Sequence, residues 1–196
     1  MISSKKELKE YIRQDRKMNG FSEKRRLFDV LKEWLFPNSI TVLRYMRLLE
    51  YYTNVKSFGS SILRLLYYYK YRNASRKLGY SIAINTCGPG LSLPHYGTII
   101  ISGHSNIVKN CRIHACVNIG ASAGQEKAPH IGDNVYIGPS CVLFGDIAIA
   151  DNITIGANST VNKSCLEKNV ILAGTPAKIV KMNYPNWLEF NKIKKR

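Results

Sequence analysis

The chain has 196 residues and 45% hydrophobic content, enough for one domain with a real core and a small appendage. Its net charge of +16 sits at the ends: residues 1–80 carry +11, residues 81–180 only +1, and residues 181–196 carry +4. Five cysteines, an odd number without CxxC spacing, argue against a disulfide framework or a zinc ribbon. No secretory h-region opens the chain and no apolar run is long enough for a membrane helix, so a reduced, cytoplasmic protein is expected.

Residues 3–18 read as a helix, with Ser3 or Ser4 as cap and Gly20 near its stop. A second helix is expected from Ser22 to Phe36, because Pro37 forbids continuation. Asn38-Ser39 caps a third, running to about Tyr52, and Ser60-Ser61 opens a fourth that ends near Lys77, before Gly79. The last two carry apolar and aromatic residues on most faces, including Leu43, Met46, Leu49, Ile62, Leu65, Leu66 and Tyr67 to Tyr69. Residues 1–79 are therefore expected to form a basic α-helical domain that caps the rest of the chain, with tyrosine rings buried and hydroxyls at the rim. Its cations also suit an anionic membrane surface, where each Lys or Arg contributes about 1 kcal/mol. No nucleic-acid-binding module is recognisable, so nucleic acid is not expected as a partner.

From Ile82 onward the pattern changes. Apolar anchors recur every sixth residue: Ile101, Ile107, Ile113 and Ile119, then Ile131, Ile137, Leu143, Ile149, Ile155 and Val161. Four places after each anchor stands a small or β-branched residue, such as Ser105, Cys111, Ala123, Val135, Cys141 or Ser159. A helix would scatter a six-residue period around its circumference, whereas short strands with sharp turns place every anchor inward. Three hexads close one triangular coil, and stacked coils bury one core. A mainly β fold is the result: a left-handed parallel β-helix over residues 80–182, preceded by the helical domain and trailed by a basic tail, 183–196. Two places break the phase. Two extra residues enter between Leu93 and Ile101, so His95 is expected on a protruding turn. Between Ile119 and Ile131, Gln125 cannot be an anchor, so ASAGQEKAPH reads as an external loop ending at Pro129.

The segments GPGLSLPHYGTIII, IHACVNIGAS, KAPHIGDNVYIGPSCVLFGDI, IGANSTV and AGTPAKIV resemble the serine acetyltransferase family of hexapeptide-repeat acyltransferases. The similarity leans toward the branch found among bacterial surface-polysaccharide O-acetyltransferases. The resemblance implies acetyl-CoA as co-substrate, a homotrimer or a dimer of trimers, and a cleft between adjacent subunits. It makes His95 the general base. Imidazole, with an ordinary pKa of about 6.5, can take a proton from an acceptor hydroxyl and return it to the departing sulfur. It carries the CoA groove onto Ala121, Gly138, Ala157, Gly174 and Thr175, with Lys178, Lys181 and Lys163 as cations for the phosphates. Tight turns alone would also explain the small residues.

The chain departs from the family around the amino-acid pocket. An Asp that precedes the family's catalytic His is Pro94 here. A second Asp that orients the imidazole falls around Tyr80–Ser81, and a further His and Arg align with Ala128 and Lys127. The loss of both Asp residues and of the His favours an uncharged hydroxyl, a sugar or lipid-linked glycan, over serine. Tyr96, Lys127 and His130 are the candidate acceptor contacts. True serine O-acetylation and a non-catalytic scaffold remain the alternatives. Four histidines on such a coil also allow a zinc site shared between subunits, as in γ-class carbonic anhydrases, which resemble the chain in fold only. No metal is expected.

Overall fold

The computed structural model describes residues 1–22, 35–36 and 38–189. Three helices precede the coils: α1 (Lys5–Met18), α2 (Ser39–Asn54) and α3 (Ser60–Leu78). The helix expected over residues 22–36 lies almost wholly outside the described residues. Each observed helix starts and stops for a local reason. Ser4 accepts the Glu7 N–H at the head of α1, and Asn38 and Thr41 form a reciprocal capping box at α2. Gly79, at φ 80°, ends α3 in the left-handed conformation a helix C-terminus favours.

The coils have three walls. The first consists of β1 (Tyr80–Ile82), β2 (Ile99–Ile101), β5 (Val117–Gly120), β8 (Val142–Phe144) and β11 (Thr160–Val161). The second is β3 (Asn106–Ile107), β6 (His130–Ile131) and β9 (Ala148–Ile149). The third is β4 (Arg112–Ile113), β7 (Tyr136–Ile137), β10 (Thr154–Ile155) and β12 (Ile171–Gly174). All these neighbours pair in parallel. The last strand, β13 (Ala177–Lys181), turns back antiparallel on β12 and ends the stack.

Register explains both breaks in phase. A regular coil spends three hexads, which sets Ile99 opposite Val117 and Val142 opposite Thr160. The three pairs Ile119–Leu143, Ile107–Ile131 and Ile113–Ile137 each span one hexad more, so a hexad's worth of chain leaves the wall between β5 and β6. Ala123, in phase with the small inward positions, is consequently exposed in that loop. The first coil, which sets Tyr80 opposite Ile99, exceeds three hexads by a single residue. There the two residues added after Leu93 outweigh one lost between Ile82 and Cys87.

All ten anchors are at most 2% exposed and form one continuous core with Leu43, Met46 and Leu49 of α2. Cys111, Cys141 and Cys165 fill inward positions as expected of small apolar side chains. The corner between the second and third walls needs a left-handed residue in each coil. Asn110, Asn134, Asn152 and Asn169 supply it, with φ between 56° and 61°. Their amides form a ladder, Asn110 to Asn134 and Asn134 to Asn152, at 3.0 Å each.

One buried ionic cluster joins helices to coils. Arg47 of α2 is fully buried and donates to Asp15 at 2.8 Å, to Glu50 at 3.0 Å, and to the Cys87 and Gly88 carbonyls at 2.7 Å. Asp15 in turn accepts the Gly90 and Leu91 N–H groups, and Glu50 accepts that of Asn85. Burial alone would pull the Arg47 pKa down, but the two carboxylates outweigh it and hold it raised. Residues after β13 are not a loose tail throughout. Trp187 is 7% exposed, with its indole N–H on the Asn110 carbonyl at 3.2 Å. No helix among the described residues is long and apolar enough to cross a membrane.

Candidate active site

His95 lies on the exposed turn between the third and first walls, where the phase slip places it. Tyr80, 5% exposed, anchors that turn from β1: its hydroxyl donates to the His95 carbonyl at 2.9 Å. Because that proton is committed, Ser39 donates to the Tyr80 oxygen, 2.7 Å away. Burial raises the phenol's pKa and keeps it a donor. Tyr80 thus holds the backbone of His95 rather than its imidazole. No acidic residue occurs anywhere between Glu50 and Glu126, so His95 sits in a long segment of sequence without a carboxylate.

The stacking of coils brings His114 under His95. It follows the β4 anchor Ile113, and the two rings lie 5.6 Å apart between centroids. Tyr136 of β7 is the next ring down, 5.0 Å from His114. Arg112 points its Nε at His114 Nε2 at 3.5 Å. Its guanidinium is held 5.4 Å over the Trp187 ring. Burial first, then the Arg112 and His95 charges, push His114 down to about 4, so it is neutral at physiological pH. In the sequence His114 stands in an ordinary hexad, next to the anchor Ile113. Three hexads counted from His95 reach Ile113, so the extra residue of the first coil, seen only in the strand register, is what sets His114 beneath it; the contacts of Arg112, Tyr136 and Trp187 carried no sequence signal.

Below the histidines, the same corner carries a column of small residues: Ala115, then Gly138 and Pro139, Gly156 and Ala157, and Gly174 and Thr175. Four of the candidate groove residues, Gly138, Ala157, Gly174 and Thr175, therefore share one edge with His95. Stacking already requires one of these glycines, since a Cβ on Gly138 would fall 2.7 Å from the Ala157 nitrogen. Gly174 has φ 102°, a conformation other residues avoid. Thr175 bonds the Asn158 carbonyl at 3.3 Å and is exposed, as is Lys178 on β13. This edge offers backbone between small side chains.

The other candidates occupy the next edge round. Ala121 and Lys127 are in the external loop and His130 follows on β6, across the first wall from His95. Lys127 pairs with Asp146 at 2.7 Å, which raises its pKa, and His104 closes the loop base through Nδ1 and the Glu126 carbonyl. His130 and Tyr96 are exposed. Within one chain, Lys127 and His130 do not join His95. Among the described residues no cluster of three or more His, Cys, Asp or Glu side chains is arranged to hold a metal.

Residues 128–163 match the family described as bacterial transferase hexapeptide (six repeats). With the helical region before it, the chain has the fold of a left-handed parallel β-helix built from hexapeptide repeats. Its relatives are more specific. A serine acetyltransferase of Staphylococcus epidermidis is 36% identical over 97 residues, which cover 48% of this chain and 45% of that one. One from Buchnera aphidicola subsp. Schizaphis graminum is 29% identical over 163 residues, covering 78% and 59%. The chain thus spans about half the length of the curated relatives it matches. The crystal structure of Neisseria gonorrhoeae serine acetyltransferase superposes with a TM-score of 0.69 at 22% identity, covering 93% of this chain and 70% of that one. A serine acetyltransferase complex with CoA superposes with a TM-score of 0.63 at 22% identity, covering 88% and 67%. The chain is serine acetyltransferase-like in sequence and in fold.

Proposed function

We propose that the protein is an acetyl-CoA-dependent O-acetyltransferase with His95 as general base. The observation that carries this is the placement of His95 at the head of the small-residue edge formed by Gly138, Ala157 and Gly174. The thioester arm lies along that edge, with Thr175 and Lys178 at its far end. His95 removes the proton from the acceptor hydroxyl as its oxygen attacks the acetyl carbonyl. Collapse of the tetrahedral adduct breaks the carbon–sulfur bond, and the imidazolium returns the proton to the CoA sulfur. Tyr80 fixes the turn bearing the base, and neutral His114 adds no positive charge to oppose the imidazolium that forms. Ala121, Lys127 and His130 reach such a site only from a neighbouring copy, which supports a homotrimer, alone or paired, with clefts between subunits.

The acceptor on this reading is a sugar hydroxyl in surface-polysaccharide biosynthesis, on a lipid-linked or soluble glycan, handled at the cytoplasmic face of a membrane. Serine carries an ammonium and a carboxylate that need opposite charges nearby, and the chain around His95 has Pro94, Tyr96, Gly97 and Thr98 instead. Tyr96 stacks on a sugar ring. Serine remains the second reading because the relatives are serine acetyltransferases. An acceptor screen decides between them. We expect kcat/KM for a nucleotide- or lipid-linked sugar to exceed that for L-serine by at least ~100-fold, or ~2.7 kcal/mol. Efficient acetylation of L-serine would overturn the sugar reading. Failure of both CoA and acetyl-CoA to raise the melting temperature would leave a scaffold.

A further inference from the structure

Helix α3 presents two different sides. Tyr71, Ala74 and Ser75 are buried against α2 and β1, and the Tyr71 hydroxyl bonds the Ile82 carbonyl. On the other side Ile62 is 76% exposed, Leu65 57%, Leu66 43% and Tyr69 57%. At 100° per residue these four fall within an arc of about 100°, and Phe58, wholly exposed just before the helix, continues it. Over the last two turns the same stripe becomes Arg72, Arg76 and Lys77, all exposed. Two apolar turns are thus followed by two basic ones. Residues 51–80 hold six Lys or Arg and no Asp or Glu.

That composition selects the occupant. A second copy could cover the apolar half, but α3 brings no acidic residue to meet the cations. A nucleic acid would meet the cations and leave the leucines in water. A surface offering both phosphates and hydrocarbon satisfies the whole stripe. We propose that α3 lies flat on an anionic lipid bilayer. Phe58, Ile62, Leu65 and Leu66 enter the acyl boundary, and Arg72, Arg76 and Lys77 pair with lipid phosphates. The proposal rests on the acyltransferase reading only for its purpose, which is to bring the cleft to a membrane-borne acceptor.

The test is flotation of the full-length protein with phosphatidylcholine vesicles, with and without phosphatidylglycerol, across a salt series. Light scattering and the CoA-induced melting shift run alongside. Binding is expected on phosphatidylglycerol vesicles at low salt, weakening as salt screens the cations. The triple variant Arg72→Gln, Arg76→Gln, Lys77→Gln should lower partitioning by about 100-fold or more. The double variant Leu65→Glu, Leu66→Glu should abolish it. Both should keep the oligomeric mass and the CoA shift. Absent binding at low salt, or equal binding to the two vesicle types, would overturn the proposal. A fall in oligomeric mass of the leucine variant with vesicle binding intact would assign the face to a second copy. Vesicle binding without any CoA shift would uphold the docking face and sink the acyltransferase reading instead.

Discussion

Among the described residues no carboxylate bonds the His95 imidazole, so its neighbours act differently from an Asp partner. Tyr80 fixes its backbone, and His114 packs beside it as a neutral ring. Replacing His95 with Asn should leave the CoA-induced melting shift intact and lower kcat by about 10²–10⁴, the range expected for loss of general-base help. A variant that keeps most of its activity would move the base elsewhere, with His130 the first candidate. His114 makes a second, pH-dependent prediction. Its folded pKa of about 4 lies below its ordinary 6.5, so the unfolded chain takes up a proton first as pH falls. The stability it contributes is complete above about 6.5 and drains away toward pH 4. His114→Gln should therefore flatten the fall of melting temperature with pH in that window; an unchanged slope would show that this ring does not titrate as its surroundings dictate.

At the scale of elements, Arg47 decides whether the helices stay on the coils. Its partners come from α1, from α2 and from the first coil, and both carboxylates are buried with it. Arg47→Met keeps most of the volume but takes the guanidinium away from Asp15 and Glu50 in their buried positions. We expect a loss of about 3–5 kcal/mol in urea unfolding, since a broken buried pair costs far more than a surface one. A loss below about 1 kcal/mol, the value of an exposed pair, would mean that the cluster relaxes into water. The helix ends themselves were legible, because Ser4, Asn38 and Gly79 act within about one turn of where they sit. The cluster was not. Arg47 lies 32 residues from Asp15 and 40 from Cys87, and nothing local marks such a meeting.

At the scale of the molecule, the first wall lies between the edge carrying His95 and the loop carrying Lys127. It leaves Ile100 39% and Val142 37% exposed in a single chain. Covering that wall while joining the two edges calls for rotational packing of identical chains, so light scattering at micromolar concentration should give three chains or six. A monomer would contradict this and leave the loop residues without a route to His95.

The six-residue period by itself determined the coils, the buried anchors and the two departures from the wall. Every anchor must face one core, and any added residue must leave it. The protruding turn of His95 was legible for the same reason, since a two-residue excess after Leu93 has nowhere else to go. Only the tertiary structure decided what surrounds His95. His95 meets His114 because one full coil returns the chain to the same edge, and Tyr136 joins them because the external loop is spent before the next return. Arg112 is steadied by Trp187, from near the far end of the chain, because β13 reverses and lays the residues after it against the third wall. Such meetings depend on the pitch of the stack and the lengths of its loops, which no short stretch of sequence contains.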